Sequence, residues 1–493
     1  MILKNAYILD GTGAPGYLGD IAIDRGKILK IGRGLSGGKS LVDVRGLAVS
    51  PGWIDSHSHS DNAMISWPDM RQKIEQGITF SVAGQCGFSP APTQTETFDS
   101  FFGKLGAQGS GAGVLVGYNT LRSFVMGNRN QEPTATQQAQ MENLLEQSLE
   151  QGAMGMSLGL YYTPGCYART QELVCLARIV AAHNKILTCH IRDEADALVD
   201  AVGEFISVVQ AAGCRGVISH HKAAWAKNWG KVKTTLDMID KANAQGADIY
   251  LDVYPYTASA TQLIARFVPS QFHPPGLTDR MTLLEDPEIR QKICNWGREK
   301  WGNDLSWTLV SSCEGYPEYE GKNINEIAVA MDQPDRMEAA LQLLIQSRGQ
   351  ASGFFFMMCP EDVQRVMQHP RAMLCTDSSV AKDAKLYHPR LGASFPRALG
   401  HYVRELEAVS LPEMIRKMTG LPAQVYGLHS KGRIAPGMDA DLCVFDPETI
   451  AGPADYTHCD LPNRGLQYVF IDGKCVLENG VYNGTRAAKV YRF

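Results

Sequence analysis

The 493-residue chain has no run of about 20 apolar residues, so no segment reads as a bilayer-spanning helix. Its start, MILKNAYILDGTG, places Lys4, Asn5 and Asp10 where the apolar core of an export signal would lie, and a cytoplasmic location is expected. Basic residues are not in excess. Lys and Arg number 47 against 52 Asp and Glu, for a net charge of -5, which argues against nucleic acid as the main partner. The twelve cysteines include no Cys-x-x-Cys pair and read as reduced thiols rather than a disulfide frame. Internal repeats and low-complexity linkers are also missing. The chain does have an ordinary globular balance, 44% hydrophobic and 20% charged, with 48 Gly and 24 Pro for tight connections.

Both ends have the texture of short antiparallel strands. MILKNAYIL, GDIAIDR and KILKIG alternate near the start, and DADLCVFD and LQYVFIDGKCVLENGVY near the end. Two β segments so far apart can pair into one small domain with a larger one inserted between them. The middle alternates apolar strands with amphipathic helices, the pattern of βα units. Strands are expected at 47–56, 78–84, 113–118, 153–160, 186–191, 216–220, 248–254 and 372–377. One helix is expected within 195–213, with Leu198, Val202, Phe205 and Val209 on one face and Gly213 as its C-cap. Another is expected within 229–246, with Val232, Leu236, Ile239 and Ala242 on one face. Eight strands suggest an α/β fold of the (β/α)8 barrel kind, with an open doubly wound sheet as the alternative. The stretch near 270–365, polar and Trp-rich, reads as an inserted subdomain.

The residues with chemistry gather at predicted strand ends. His57 and His59 follow the first strand two positions apart, so both rings can face one side. Cys86 follows ITFSVAGQ, His190 ends ILTCH, His220 follows GVIS, and Asp377 follows AMLCT. In a parallel sheet all these ends share one face, where barrel enzymes place their sites. Each residue alone reads equally well as a buried thiol, a satisfied core histidine or a helix cap. Together they read as a zinc site, since imidazole and thiolate are good zinc ligands.

At this point the chain resembles the D-aminoacylase (N-acyl-D-amino-acid deacylase) family of the amidohydrolase superfamily. The resemblance is carried by PGWIDSHSHSD, QGITFSVAGQCGFSPAP (76–92), GAMGMSLGLYYTPGCYA (152–168), TCHIRDE (188–194), VISHHK (217–222), LDVYPYTASAT (251–261), LCTDSS (374–379), HPRLGASFPRALG (388–400) and KGRIAPGMDADLCVFDPETI (431–450). It implies a (β/α)8 TIM-like barrel over 51–419 and a small β-sandwich built from 1–50 and 420–493. It implies Cys86, His190 and His220 as tight Zn2+ ligands, with His57 and His59 beside a second, weaker metal position. It also implies hydrolysis of the amide of N-acyl-D-amino acids. On that reading zinc would supply an activated water for attack on the carbonyl, Asp377 would serve as general base and then acid, and Lys222, Tyr254 and Arg390 would line the substrate pocket. A small-molecule substrate is expected as partner, with no nucleic acid and no membrane; the oligomeric state stays open. Tyr161, Tyr162, Ser378 and Ser379 depart from the family pattern. A related amidohydrolase acting on a dipeptide or a cyclic amide, and a non-catalytic scaffold, are the alternatives. Against the dihydropyrimidinase type, strand 153–160 has no lysine for a bridging carbamate. An acidic side chain on the substrate would require a further cation, for which Arg266 and Lys382 are candidates.

Overall fold

The computed structural model describes residues 1–38, 40–277, 279–380 and 385–493. Strands of the central region are buried on both faces, which is why their sequences run apolar rather than alternating. Ile78–Ala83, Gly155–Gly159 and Ile186–His190 are buried at every position. Six strands form one parallel sheet in the order Ala372–Leu374, Asp248–Val253, Arg215–Ile218, Ile186–His190, Gly155–Gly159 and Val116–Gly117. Trp53–Asp55, Ile78–Ala83 and Gly111–Val114 form a second parallel sheet. The strands lie at the expected eight places, with 47–56 split into Ala48–Pro51 and Trp53–Asp55, and 113–118 split at Leu115.

The two sheets meet along two seams. At one, Leu115 alone separates Gly111–Val114 from Val116–Gly117, and its N–H donates to the Ala83 carbonyl at 2.9 Å. At the other, Ser58 and Ser378 form a parallel bridge, and the Asp377 N–H donates to the His57 carbonyl at 2.9 Å. The strand ladders are interrupted at both seams.

Helices alternate with these strands. Leu198–Ala212 buries Leu198, Val202, Phe205 and Val209, and stops at Gly213, whose φ of 70° is the left-handed value that glycine adopts without strain. Lys231–Ala244 buries Val232, Leu236, Ile239 and Ala242.

The chain ends pair with each other. Ile2–Ile8 lies antiparallel to Tyr17–Asp24 and parallel to Ala48–Pro51, which pairs with Leu442–Phe445. Leu466–Ile471, Lys474–Glu478 and Val481–Tyr482 extend one continuous nine-stranded sheet. The last residues turn back to the parallel strands: Ala488 bridges Gln108, and the Tyr491 ring meets Phe80 edge-on at 5.6 Å. Between Val253 and Ala372 the chain adds an antiparallel sheet of Ala258–Gln262, Ala351–Phe356 and Thr308–Cys313, with helices around it. Among the described residues no helix is long and apolar enough to cross a membrane.

Candidate metal centre

The C-terminal ends of five parallel strands converge on one buried thiol. His57 and His59 follow Trp53–Asp55, Cys86 follows Ile78–Ala83, His190 ends Ile186–His190, and His220 follows Arg215–Ile218. Asp377 follows Ala372–Leu374. Cys86 Sγ lies 3.4 Å from His57 Nε2, 3.5 Å from His190 Nδ1 and 3.4 Å from His220 Nε2. Asp377 Oδ1 lies 3.0 Å from His59 Nε2 and 3.5 Å from His57 Nε2. These atoms form two groups, each within 4.8 Å: Cys86, His190 and His220, and His57, His59, Cys86 and Asp377. Cys86 belongs to both. All six predicted residues therefore meet.

The backbone here is held in an uncommon conformation. Cys86, His220 and Asp377 have φ of 54°, 37° and 47°, in the left-handed region that non-glycine residues seldom occupy. Such strain persists where the surrounding structure over-determines it, and it clusters at functional sites. Gly159 makes room: a Cβ there would collide with the Cys86 carbonyl oxygen. The end of strand Gly155–Gly159, where a carbamate lysine would project, is thus occupied by the Cys86 backbone.

The donor chemistry fits zinc, which takes thiolate and imidazole together. Burial, and then the Asp377 and Glu194 charges, push the Cys86 thiol well above its usual range. A bound cation reverses that balance and releases the thiol proton. Burial pushes the His190 imidazole well down, and burial followed by the Lys222 charge lowers His220, so both are neutral and free to ligate. His57 Nδ1 and Asp252 Oδ2 lie 3.6 Å apart, both buried without a hydrogen-bond partner. That is the pairing by which a carboxylate orients a ligating histidine. Asp252 Oδ1 also accepts from the His220 N–H at 2.6 Å.

Charges around the donors are matched in pairs. Burial raises the Asp377 carboxyl, but Arg390, His220 and the His59 hydrogen bond outweigh it and hold it well below the usual carboxylate range. Arg390 Nη1 donates to Asp377 Oδ2 at 2.7 Å. Glu194 is likewise held low against burial by Lys222, His190 and His220. It lies 3.0 Å from His220 Nδ1 and pairs with Lys222 Nζ. Tyr254 lies between the two cations, its ring centre 5.5 Å from Lys222 Nζ and 4.8 Å from Arg390 Cζ. The predicted pocket residues Lys222, Tyr254 and Arg390 all line a cavity of about 790 Å³ that contains Cys86, His190, His220 and Asp377.

The neighbours of these donors divide between core and cavity. His221, next to His220, turns to the core, where its Nε2 meets Thr235 Oγ1 at 2.8 Å. Tyr161 and Tyr162 pack their rings 5.6 and 4.8 Å from the His190 ring. Arg266 lines the cavity; Lys382 lies outside the described residues. Sequence reasoning missed Glu194, Asp252 and the buried Asp55–Lys73 pair. An aspartate inside the apolar strand LDV, and a glutamate four residues after His190, were the available signals.

Comparison with known proteins agrees with this geometry. The amidohydrolase family matches residues 40–477. N-acyl-D-glutamate deacylase from Alcaligenes xylosoxydans xylosoxydans is 36% identical over 97% of this chain and 93% of its own length. The crystal structure of N-acyl-D-glutamate deacylase from Bordetella bronchiseptica, complexed with zinc and a phosphonate mimic of the tetrahedral intermediate, is 34% identical. It superposes with a TM-score of 0.87 over 100% of this chain and 99% of that one. A D-aminoacylase structure described for its binuclear metal center is 32% identical, with a TM-score of 0.86 over 100% and 99% of the two chains. With its converging strand ends, its shared cysteine and these full-length relatives, the chain belongs to the amidohydrolase family, in its D-aminoacylase branch.

Proposed function

We propose that the protein is a zinc-dependent hydrolase that cleaves the amide bond of N-acyl-D-amino acids, releasing a carboxylic acid and a free D-amino acid. The observation that carries this reading is one thiol surrounded by three imidazoles with an ionised carboxylate beside it, on the strand ends of a chain with deacylase relatives. Cys86, His190 and His220 would hold the tight ion; His57 and His59, with Cys86 and Asp377, would hold a second, weaker one. When bound, zinc supplies Lewis acidity that acidifies water and polarises a carbonyl.

The protein groups have distinct tasks. Asp377 is ionised and its Oδ2 is fixed by Arg390, which leaves Oδ1 turned toward the histidines. Oδ1 accepts the proton of the attacking water and returns it to the amine nitrogen as the carbon–nitrogen bond breaks. One carboxylate can do both because it lies beside both atoms. Lys222 and Arg390, with Tyr254 between them, receive the substrate α-carboxylate; the guanidinium offers a planar two-point contact. Asp252 and Glu194 orient the histidine rings.

The architecture belongs to the same proposal. The two parallel sheets are arcs of one (β/α)8 barrel over 51–419, supported by their contacts at Leu115 and at Ser58–Ser378. Residues 1–50 and 420–493 form the small β domain, and the insertion near 270–365 covers the pocket. The test is a panel of N-acetyl D- and L-amino acids with purified zinc-loaded enzyme. Hydrolysis of D-substrates is expected; hydrolysis confined to L-substrates would overturn the assignment.

A further inference from the structure

We propose that Lys73 is a positioning residue for the reaction: its ammonium grips the chain on both sides of Asp377 and so aims the carboxylate at the water it deprotonates. This rests on the deacylase reading above. Lys73 belongs to the short helix Arg71–Ile74, is fully buried and stands outside the wall of the cavity. Its Nζ donates to Asp55 Oδ2 at 2.8 Å, to Thr376 Oγ1 at 2.9 Å and to the Ser378 carbonyl at 3.1 Å. An ammonium has three donors, and all three are used. Two of them fall on the residues immediately before and after Asp377.

The placement bears on what Asp377 must hold. Its φ of 47° is a conformation that a non-glycine residue keeps only where the surrounding structure fixes it. On one side, Asp55 accepts from the Thr376 N–H at 2.8 Å and from its hydroxyl at 2.6 Å. On the other, the Ser378 carbonyl accepts the His59 N–H at 3.0 Å and the Ser58 hydroxyl at 3.1 Å as well as Lys73. Lys73 joins these two anchors across Asp377. The same turn of chain also reaches the cation that holds the carboxylate. Gln76 Nε2 donates to the Leu391 carbonyl at 2.7 Å, and Gln76 Oε1 accepts from the Phe395 N–H at 3.4 Å, both in the helix Arg390–Arg397. One buried turn therefore sets the backbone of Asp377 and the helix of its guanidinium partner. Asp55 neutralises the Lys73 charge, so the effect is on the direction of Oδ1 rather than on the local field. A lysine that only holds the seam together is the competing explanation, and it predicts that activity follows stability.

The test separates activity from stability. In zinc-loaded Lys73→Met, kcat on the best N-acetyl-D-amino acid is expected to fall about 10- to 100-fold, the effect of displacing a reacting group by about 1 Å. KM is expected to stay within about threefold, because Lys222 and Arg390 remain. The double variant Lys73→Met/Asp55→Asn removes the unpaired carboxylate, and it carries the test if the single variant does not fold. Its unfolding midpoint should recover in part while kcat stays low, since the grip on Ser378 is still missing. Lys417→Met is the control. Lys417 is also buried, pairs with Glu413 and donates to the Ala372 carbonyl at 3.2 Å, at the opposite end of the strand that leads to Asp377. It should lose stability and keep kcat within about threefold of wild type. Recovery of kcat together with the midpoint in the double variant, or an equal fall in Lys417→Met, would overturn the proposal while leaving the deacylase reading intact. A crystal structure of the metal-free double variant gives a readout independent of turnover. There the 3.0 Å contact between Asp377 Oδ1 and His59 Nε2 is expected to open by about 1 Å. An unchanged contact, with φ at Asp377 also unchanged, overturns the proposal. If no D-substrate is hydrolysed yet the contact opens, the deacylase reading fails and the clamp on Asp377 stands.

Discussion

Asp377 shows how neighbours decide what a side chain does. Burial by itself favours its neutral acid, and a neutral acid cannot take a proton from water. Arg390, His220 and His59 reverse that preference. Asparagine keeps the shape and the contact surface but removes the basic oxygen. In Asp377→Asn, kcat is therefore expected to fall by at least about 10²- to 10⁴-fold, the usual range for positioned acid–base groups. Zinc content, measured by elemental analysis, should stay close to wild type, because Cys86, His190 and His220 remain. Turnover within a few-fold of wild type would remove Asp377 from the base role. The neighbouring histidines give the contrasting case. His220 and His221 differ by one position, yet one meets the thiol and the other a helix hydroxyl. Burial lowers the His221 imidazole to about 3, which keeps it a neutral core residue.

At the scale of elements, the strand ends were legible and their partners were not. Eight apolar runs followed by polar residues place the strands, because burial on both faces leaves no room for alternation. His57, His59, Cys86, His190, His220 and Asp377 are each within a few residues of a strand end, so local pattern alone brings them to one face. Pairings between segments far apart in sequence have no local signature. Lys73 is the clearest instance. Its Nζ is buried and donates to Asp55 Oδ2 at 2.8 Å, Thr376 Oγ1 at 2.9 Å and the Ser378 carbonyl at 3.1 Å. The Thr376 N–H closes the set by donating to Asp55 Oδ1 at 2.8 Å. This network ties the Trp53–Asp55 strand to the segment that carries Asp377, at the seam where the ladder is interrupted. Removing one member leaves a buried charge uncompensated, which costs about 3–5 kcal/mol. Lys73→Met is thus expected to lose that much in denaturant unfolding, and Asp55→Asn in the same chain to recover part of it. A loss under about 1 kcal/mol would mean that the seam is held by its other contacts alone.

The whole molecule is organised so that segments from residue 57 to residue 377 depend on one small volume. The apolar side chains around the parallel strands give the body its stability, whereas the donor cluster is built from polar, ionisable groups. In the metal-free protein it consists of a thiol with a raised pKa, imidazoles with lowered ones, and orphaned atoms such as His57 Nδ1 and Asp252 Oδ2. A ligand that binds only the folded state adds RT ln(1 + [L]/Kd), about 4 kcal/mol at a free metal concentration a thousandfold above Kd. With an unfolding entropy of about 2.1 cal/mol/K per residue, a chain this long converts that into roughly 4 °C. Chelation of the purified protein is expected to lower the calorimetric midpoint by about that amount, and added zinc to restore it. In Cys86→Ala the chelated and zinc-loaded midpoints should nearly coincide, because the donor common to both groups is gone. The Cys443→Ala variant is the control. Cys443 is equally buried, and its Sγ donates to the Gly77 carbonyl at 3.1 Å in the sheet built from the chain ends. Its loss should lower both midpoints together and leave the gap between them unchanged. An equal gap in Cys86→Ala would place the metal elsewhere and return Cys86 to the ordinary buried thiols.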